Sequence, residues 1–260
     1  MKQLFKKRPA LVGMVHVRAL PGTARYAGNF KAVVDKAVEE ATVLLEGGVD
    51  GLILENMHDT PYLKGSVGPE ITAAMAVVAD RIRALTERPV GLQILAAANR
   101  EALAVALTSR LDFVRVEGFV FGHVADEGYI DGQAGELLRY RKMIGAESVQ
   151  IWADLKKKHS SHALTADVGL GETAQAAEFC GADAVIVTGS STGKATLVTD
   201  LEEVTGNTGL PVWIGSGVTP ENAGQYRNAA GFIVGSYLKE AGKWDHPVSR
   251  GRIARIKQSV

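Results

Sequence analysis

Short apolar runs recur along the chain, and the stretches between most of them carry apolar residues at a helical period. The runs are ALVGMVHV (10–17), GLILEN (51–56), VGLQIL (90–95), FVRVEG (113–118), VQIWADL (149–155), AVIVTGS (184–190), VWIGSG (212–217) and GFIVGS (231–236). The clearest amphipathic helices are predicted at 30–48, 69–87 and 100–109. Strands that alternate with helices in this way are typical of a parallel sheet.

An internal repeat indicates how many such units the chain contains. The segments EGGVDGLIL, TSRLDFVRV and CGADAVIV share a helix end, an aspartate and the start of a strand. Their aspartates, Asp50, Asp112 and Asp183, lie about two β/α units of ~30–35 residues apart. Eight units account for 260 residues, the usual size of a (β/α)8 barrel. The sequence therefore predicts an α/β protein with a single (β/α)8 TIM barrel as its one domain, residues 1–260. A doubly wound open sheet is the alternative.

The loops that follow the predicted strands differ in length, whereas the loops that precede them are short. Strands two, four and five are followed by the long segments NMHDTPYLKGSVG, GFVFGHVADEGYIDGQ and KKKHSSHALTADVG. In a barrel, these loops all lie at the C-terminal face, where active sites of this fold are built. We therefore expect the functional site at that face.

Glycine loops follow the seventh and eighth predicted strands, where many barrels bind phosphate. Glycine lets the backbone approach an anion closely, and serine hydroxyls add donors. Thr219 is predicted to cap a helix that begins at Pro220, and tight turns alone are the alternative explanation of the glycines. The residues predicted to bind phosphate are Gly215, Ser216, Gly217, Gly235 and Ser236.

The sixth loop, TGSSTGKAT, resembles the phosphate loop of NTPases but has one residue too few between its glycines. We therefore reject an NTPase. The residues of this loop that could still line an anionic pocket are Thr188, Ser190, Ser191, Thr192 and Lys194.

Several predicted strands have one apolar and one polar face, because side chains alternate along a strand. The apolar faces should pack on the helices, so the polar faces should point into the barrel. Buried charges are costly unless they are paired or used, which predicts a catalytic site or a structural ion pair, for example Arg115 with Glu55 or Asp154. The residues on the polar faces are Glu55, Gln93, Arg115, Glu117, Gln150, Trp152, Asp154 and Lys156.

Histidines are concentrated at strand ends and in the loops expected at the C-terminal face. Five of the 6 lie there, and only His246 lies elsewhere. This distribution favours acid–base or metal chemistry, and neighbouring carboxylates make a divalent metal conceivable. No tight ligand spacing such as HExxH occurs, so metal ligands stay unassigned. The five histidines are His16, His58, His123, His159 and His162.

Composition narrows the possible partners. The 29 basic residues balance the 29 acidic ones, so general nucleic-acid binding is not expected. No apolar stretch reaches the ~20 residues of a membrane span. The basic N-terminus is not expected to be a cleaved leader, because cleavage would delete the first predicted strand. We expect a cytoplasmic protein with a small phosphorylated substrate; a homo-oligomer stays open, since no interface signal is present.

Four segments, GMVHVRALPG, DGLILENMHDTPY, ADLKKKHS and IGSGVTPEN, resemble the BtpA family in this order. The resemblance extends over nearly the whole chain and implies a TIM barrel of the ribulose-phosphate-binding type. The family is named after a factor connected with accumulation of photosystem I in cyanobacteria, but members also occur in organisms without photosynthesis. The implied phosphate role applies to the two glycine loops, and the resemblance leaves the reaction open.

Three hypotheses follow from these patterns. The leading one is an enzyme for a small phosphorylated metabolite, either a sugar phosphate or a nucleotide-like compound. Asp154 or Glu55 would be the general base, Lys156 would stabilise an oxyanion or form a Schiff base, and His16 or His123 would move a proton. Isomerase, lyase and hydrolase are not distinguished. The alternatives are a metal-dependent hydrolase and a non-enzymatic factor for biogenesis of a membrane complex such as photosystem I.

Overall fold

The computed structural model describes residues 3–7, 9–189 and 195–260, and its central feature is a closed barrel of eight parallel strands. The strands are β1 (Ala10–His16), β2 (Gly51–Glu55), β3 (Val90–Gln93), β4 (Phe113–Val116), β5 (His123–Ala125), β6 (Gly128–Ile130), β7 (Gln150–Leu155), β8 (Ser160–Ser161), β9 (Ala184–Val187), β10 (Val212–Ile214) and β11 (Gly231–Val234). The barrel order is β1-β11-β10-β9-β7-β4-β3-β2. Each of the eight apolar runs contains one barrel strand, so the TIM-barrel prediction is confirmed.

Three short strands outside the barrel were not predicted. β5 pairs antiparallel with both β6 and β8, and the three form a small sheet from the loops that follow β4 and β7. Its strands are two or three residues long, too short for an alternating pattern to stand out in the sequence.

Seven α-helices lie in the described part of the chain: α1 (Phe30–Glu46), α2 (Pro69–Arg83), α3 (Asn99–Thr108), α4 (Ala134–Met143), α5 (Leu170–Phe179), α6 (Val198–Asn207) and α7 (Arg250–Lys257). The three clearest predicted helices correspond to α1, α2 and α3. Asn29 caps the first of them: its side-chain oxygen accepts a hydrogen bond from the backbone N–H of Ala32.

The prediction of a helix that is capped by Thr219 and begins at Pro220 is wrong. A short 3-10 helix, Ala223–Tyr226, follows β10 instead. The side chain of Asn222 closes the preceding loop: its Oδ1 accepts from the Thr219 N–H at 2.8 Å, and its Nδ2 donates to the Gly217 carbonyl at 2.8 Å. This local hydrogen bonding competes with an α-helical turn.

The repeated aspartates have one structural role. Each precedes a barrel strand, and its carboxylate accepts a backbone N–H at the start of the neighbouring strand. Asp50 accepts from Leu11 at 2.8 Å, Asp112 accepts from Val90 at 2.9 Å, and Asp183 accepts from Ile151 at 2.7 Å. The repeat therefore fixes register at the N-terminal end of the barrel.

The alternation of faces is confirmed. The apolar residues of the strands, such as Val114, Ile151 and Leu54, belong to a large core between the barrel and the helices. A second core fills the lower barrel, where the Trp152 ring stacks between Phe113 at 3.8 Å and Trp213 at 4.4 Å between ring centroids. Because these aromatic rings fill the floor, the open space is confined to the C-terminal half of the barrel.

Candidate functional site

A cavity of about 420 Å³ opens at the carboxyl ends of the barrel strands. All three long loops contribute to its wall, as expected, together with the two glycine loops. This is a size typical of pockets that enclose a small organic ligand. The side chains that the strand ends supply to it are Met14, His16, Glu55, Gln93, Arg115 and Asp154.

An ion pair between Arg115 and Asp154 lies at the base of this cavity. The guanidinium Nε donates to the Asp154 carboxylate at 3.0 Å, and only 3% and 1% of the two side chains are exposed. The ion pair predicted as one alternative is therefore present. Its members also line the cavity, so a structural role and a role toward a ligand are compatible.

Two carboxyl groups at the cavity have shifted acidity. Burial raises the pKa of Glu55, and the positive charge of Arg115 only partly opposes this effect. Burial also raises the pKa of Asp154, again against the influence of Arg115. Both groups lie at strand ends and line the cavity. Carboxyl groups whose pKa is raised by burial are typical of general acid–base sites.

His16, at the end of β1, is held in one tautomer. Its Nδ1 lies 2.9 Å from the backbone carbonyl of Trp244, which can only accept, so Nδ1 carries the proton. Nε2 is then the unprotonated nitrogen and lies against Gly235, where an added Cβ would be 3.0 Å away. Burial, helped by the charge of Lys239, lowers the pKa of His16 to about 3. The imidazole is therefore neutral at physiological pH.

This low pKa predicts a loss of stability in acid. Below pH 6.5 the unfolded chain binds a proton at His16 that the folded chain excludes until about pH 3. The loss from His16 between pH 7 and pH 5 should be about 2 kcal/mol. We expect a His16→Gln variant to lose less unfolding free energy over this interval than the wild type, as measured by urea denaturation at both pH values. Equal losses would contradict the buried neutral imidazole.

His123 lies in the small sheet and does not line the main cavity. It faces a second, smaller cavity, where its ring centroid is 5.4 Å from that of His162. Burial, with the charge of Lys157, lowers the pKa of His123 to about 4. The β5–β6 hairpin thus directs the His123 side chain into this second cavity. The prediction that His123 moves a proton in the main cavity is therefore corrected. Asp154 borders both cavities.

Lys156 is also not where the strand alternation placed it. The residue follows the last residue of β7 and has a φ of +44°, so the alternation ends before it. Its ammonium donates to the backbone carbonyls of Thr165 (3.3 Å) and Val168 and does not line the main cavity. The expectation that Lys156 shares a face with Asp154 is therefore corrected.

The next two lysines, Lys157 and Lys158, line the main cavity in place of Lys156. Lys157 donates to the Glu117 carboxylate at 3.2 Å and is buried. Lys158 lines the cavity, and none of the carboxylates that the structure describes lies within 4.0 Å of its ammonium. Burial lowers the pKa of Lys158, and the charge of Arg115 lowers it further. The sequence KKK gave no signal to tell the three lysines apart.

The glycine loops border the same cavity on the side opposite β3 and β4. Gly217 has a φ of +69°, a conformation that favours glycine. Among the described residues, no acceptor binds the backbone N–H groups of Gly217, Val218, Ser236 and Tyr237. Four free backbone donors at one end of a cavity are the arrangement that an anion requires.

The serines of the two glycine loops differ in burial and in hydrogen bonding. Ser216 is buried, and its Oγ accepts from the backbone N–H of Gly189 at 2.8 Å, which connects the glycine loop to the start of the sixth barrel loop. Ser236 begins a 3-10 helix and is partly exposed to the cavity. Thr188 is buried at the end of the sixth barrel strand; Ser190, Ser191, Thr192 and Lys194 lie outside the described residues.

Two more residues contribute to the cavity: Gln93, which the strand alternation predicted, and Trp244, which the sequence did not reveal. Gln93 is 2% exposed, and its Oε1 has no hydrogen-bond partner within the described ranges. Trp244 follows the eighth strand by ten residues, and its ring lies 4.7 Å from the ring of His58 between centroids. An isolated tryptophan in a loop has no spacing that marks it as part of a site.

A metal site has no support in the described part of the chain. No three His, Cys, Asp or Glu side chains there are close enough together to hold a metal ion. His16, His58 and His159 lie near the main cavity, but His123 and His162 lie behind it. The metal-dependent hydrolase therefore lacks a ligand set in these residues.

Comparison with known proteins places the chain in a family. The BtpA family model matches residues 7–260. An uncharacterised protein of Caenorhabditis elegans, described as mitochondrial, is 48% identical over 100% of this chain and 95% of its own length. The photosystem I biogenesis protein BtpA of Synechocystis is 38% identical over 99% of this chain and 90% of its own length.

Solved structures confirm the fold. Thiamine phosphate pyrophosphorylase from Pyrococcus furiosus superposes with a TM-score of 0.58 at 17% sequence identity, covering 96% of this chain and 95% of the other. At this identity the similarity establishes the barrel architecture alone. No helix in the described ranges is both long and apolar enough to cross a bilayer.

Proposed function

The chain belongs to the BtpA family, and from that premise we propose that it is an enzyme that acts on a small phosphorylated metabolite, a sugar phosphate or a nucleotide-like compound. One observation carries the proposal: four backbone N–H groups that have no acceptor among the described residues border the same cavity as two carboxyl groups with raised pKa. The first set suits a phosphate, and the second suits proton transfer at the rest of the molecule.

The phosphate would bind the loops that contain Gly215, Ser216, Gly217, Gly235 and Ser236. The donors would be the backbone N–H groups of Gly217, Val218, Ser236 and Tyr237; the 3-10 helices that follow the two loops are too short to contribute a helix N-terminus. Arg252 also lines this end of the cavity and stacks on Tyr237 at 4.3 Å, so its charge would favour an anion at the proposed site.

Acid–base chemistry would take place away from the phosphate. Glu55 is the better general base or acid, because the Asp154 carboxylate is engaged by Arg115. Neutral His16 could relay a proton through Nε2, which lies beside the second glycine loop. Lys156 and His123 are not retained in these roles, since neither lines the main cavity.

Ligand-induced stabilisation tests the phosphate requirement. At 100 times its Kd, a ligand stabilises the native state by about 2.7 kcal/mol, which raises Tm by roughly 5–10 °C for a protein of this size. We expect this shift from at least one member of a panel of pentose, hexose and nucleoside monophosphates. The same compounds without phosphate should give no shift. Equal shifts with and without the phosphate would refute the proposed anchor.

Biogenesis of a membrane complex is the second candidate function, because the Synechocystis relative carries that description. Four apolar side chains in or beside the small sheet are exposed and would offer a docking surface: Phe121, Val124, Tyr129 and Leu164. Such a role does not need an anion site, so a Gly217→Asp variant should retain it. The expected cytoplasmic location and any homo-oligomer stay predictions.

A further inference from the structure

Lys158 lines the cavity, and the acid–base scheme leaves its charge unused. Burial has the largest effect on the pKa of His16, Glu55 and Asp154, and the Lys158 ammonium is near enough to lower all three. These residues end three different barrel strands, β1, β2 and β7. Lys158 lines the same cavity as these three residues, which come from opposite sides of the barrel.

The Lys158 ammonium differs from those of the two preceding lysines, because no hydrogen bond or ion pair from the described part of the chain holds it in a structural role. Lys156 is engaged by backbone carbonyls and Lys157 by the Glu117 carboxylate. The ammonium of Lys158, by contrast, has no hydrogen bond or ion pair within the described residues, although Lys158 lines the cavity. The turn at Lys156, with its positive φ, is what directs the following residues over the mouth.

We propose that Lys158 forms an imine with the carbonyl carbon of a phosphorylated aldehyde or ketone held by the two glycine loops. The inference rests on the proposed function, because the phosphate would hold the carbonyl compound beside the amine. It narrows the substrate class to phosphorylated carbonyl compounds and the reaction to those that an imine assists, lyase or isomerase chemistry.

The step balances with groups already in the cavity. The ammonium first gives a proton, through one bridging water, to the carboxylate of Glu55 or Asp154. The neutral Nζ then adds to the carbonyl carbon, and one proton moves from nitrogen to oxygen to give a carbinolamine. The carboxyl group returns its proton to the hydroxyl, which leaves as water while the nitrogen lone pair forms the second C–N bond. The product is a protonated imine, and no redox partner is needed.

Burial and one neighbouring cation both favour the neutral amine that this step requires. Burial, followed by the nearby guanidinium of Arg115, lowers the pKa of Lys158. Desolvation combined with a second cation is a known way to activate a lysine for imine formation. Glu55, Asp154 and Glu117 act in the opposite direction, and because none of them lies within 4.0 Å of the ammonium, the proton would reach Glu55 or Asp154 through one water.

Pyridoxal 5′-phosphate is a suitable probe, because it carries both an aldehyde and a phosphate. The full-length protein is incubated with a limiting amount, reduced with borohydride and digested, and labelled lysines are identified by mass spectrometry. We expect Lys158 to be labelled about 10-fold faster than the exposed Lys64, because the anchored phosphate raises the local aldehyde concentration. Inorganic phosphate should suppress the Lys158 label and leave the Lys64 label unchanged.

Variants separate the amine from the anchor. Lys158→Arg keeps the charge but cannot form an imine, so it should lose the label and still bind inorganic phosphate. Lys64→Met is the matched control and should leave Lys158 labelling unchanged. Labelling of Lys158 no faster than that of Lys64, in protein that binds phosphate, would overturn the imine and spare the proposed function. Equally fast labelling of Lys158 by pyridoxal without phosphate would support the amine and overturn the anchor.

Discussion

An Arg115→Met variant should be less stable than the wild type by about 3–5 kcal/mol in unfolding free energy. The Asp154 carboxylate is 1% exposed, and Arg115 is its only ion-pair partner among the described residues. Removal of the guanidinium leaves that carboxylate buried without its ion-pair partner. Two cations, Arg115 and Lys158, oppose the rise of the Glu55 pKa, and Glu55 loses the one with the larger effect, Arg115. Equilibrium urea denaturation at pH 7 measures the loss directly.

A double variant isolates the pair. Arg115→Met combined with Asp154→Leu removes both charges and replaces them by apolar side chains, so it should cost much less than the sum of the two single changes. Lys31→Met serves as the control, because Lys31 and Asp35 form an exposed pair at 2.6 Å that should contribute little. A small loss in Arg115→Met, or additive losses in the double variant, would show that the ion pair is not a linked buried unit.

A Gly217→Asp variant should bind inorganic phosphate at least about 100-fold more weakly than the wild type. A carboxylate a few ångströms from a bound anion costs about 4 kcal/mol at the effective dielectric of a partly buried site. Aspartate tolerates the left-handed backbone better than most residues, so the φ of +69° should cost little in folding. The Kd for phosphate, measured by titration in both proteins, gives the ratio.

Two controls separate charge from shape. Gly217→Asn adds a side chain of nearly the same size without a charge and should retain phosphate affinity within about 10-fold. Gly224→Asp makes the same change in net charge at an exposed glycine with no atom within 4 Å of its added Cβ. It should bind phosphate as the wild type does. Equal affinity in Gly217→Asp and Gly224→Asp would place the anion elsewhere.

Sequence patterns were sufficient for the barrel and for the side chains within its strands. A parallel strand that contacts helices on one side and other strand-borne side chains on the other must alternate, so Glu55, Gln93, Arg115 and Asp154 could be assigned to the interior before the structure was known. The loops of the C-terminal face were located for the same reason, since strand direction fixes the end at which they lie.

Residues beyond the strand ends could not be assigned in this way. Lys156 was expected at the cavity, but its positive φ ends the strand alternation, and Lys157 and Lys158 line the cavity instead. The β5 hairpin, whose pairing depends on β8 some 35 residues later, moved His123 out of the main cavity. The side chain of Asn222 replaced a predicted helix by a closed loop. Each outcome depends on local backbone geometry or on a contact distant in sequence, and neither leaves a periodic signal.

Native mass spectrometry of the purified protein, after incubation with a panel of sugar and nucleoside monophosphates, tests the phosphate anchor most directly. We predict that the wild type and Gly224→Asp retain one phosphorylated compound per chain, and that Gly217→Asp retains none. A wild type that binds no member of the panel, or a Gly217→Asp variant that binds the same compound equally well, would contradict a phosphate site at the glycine loops.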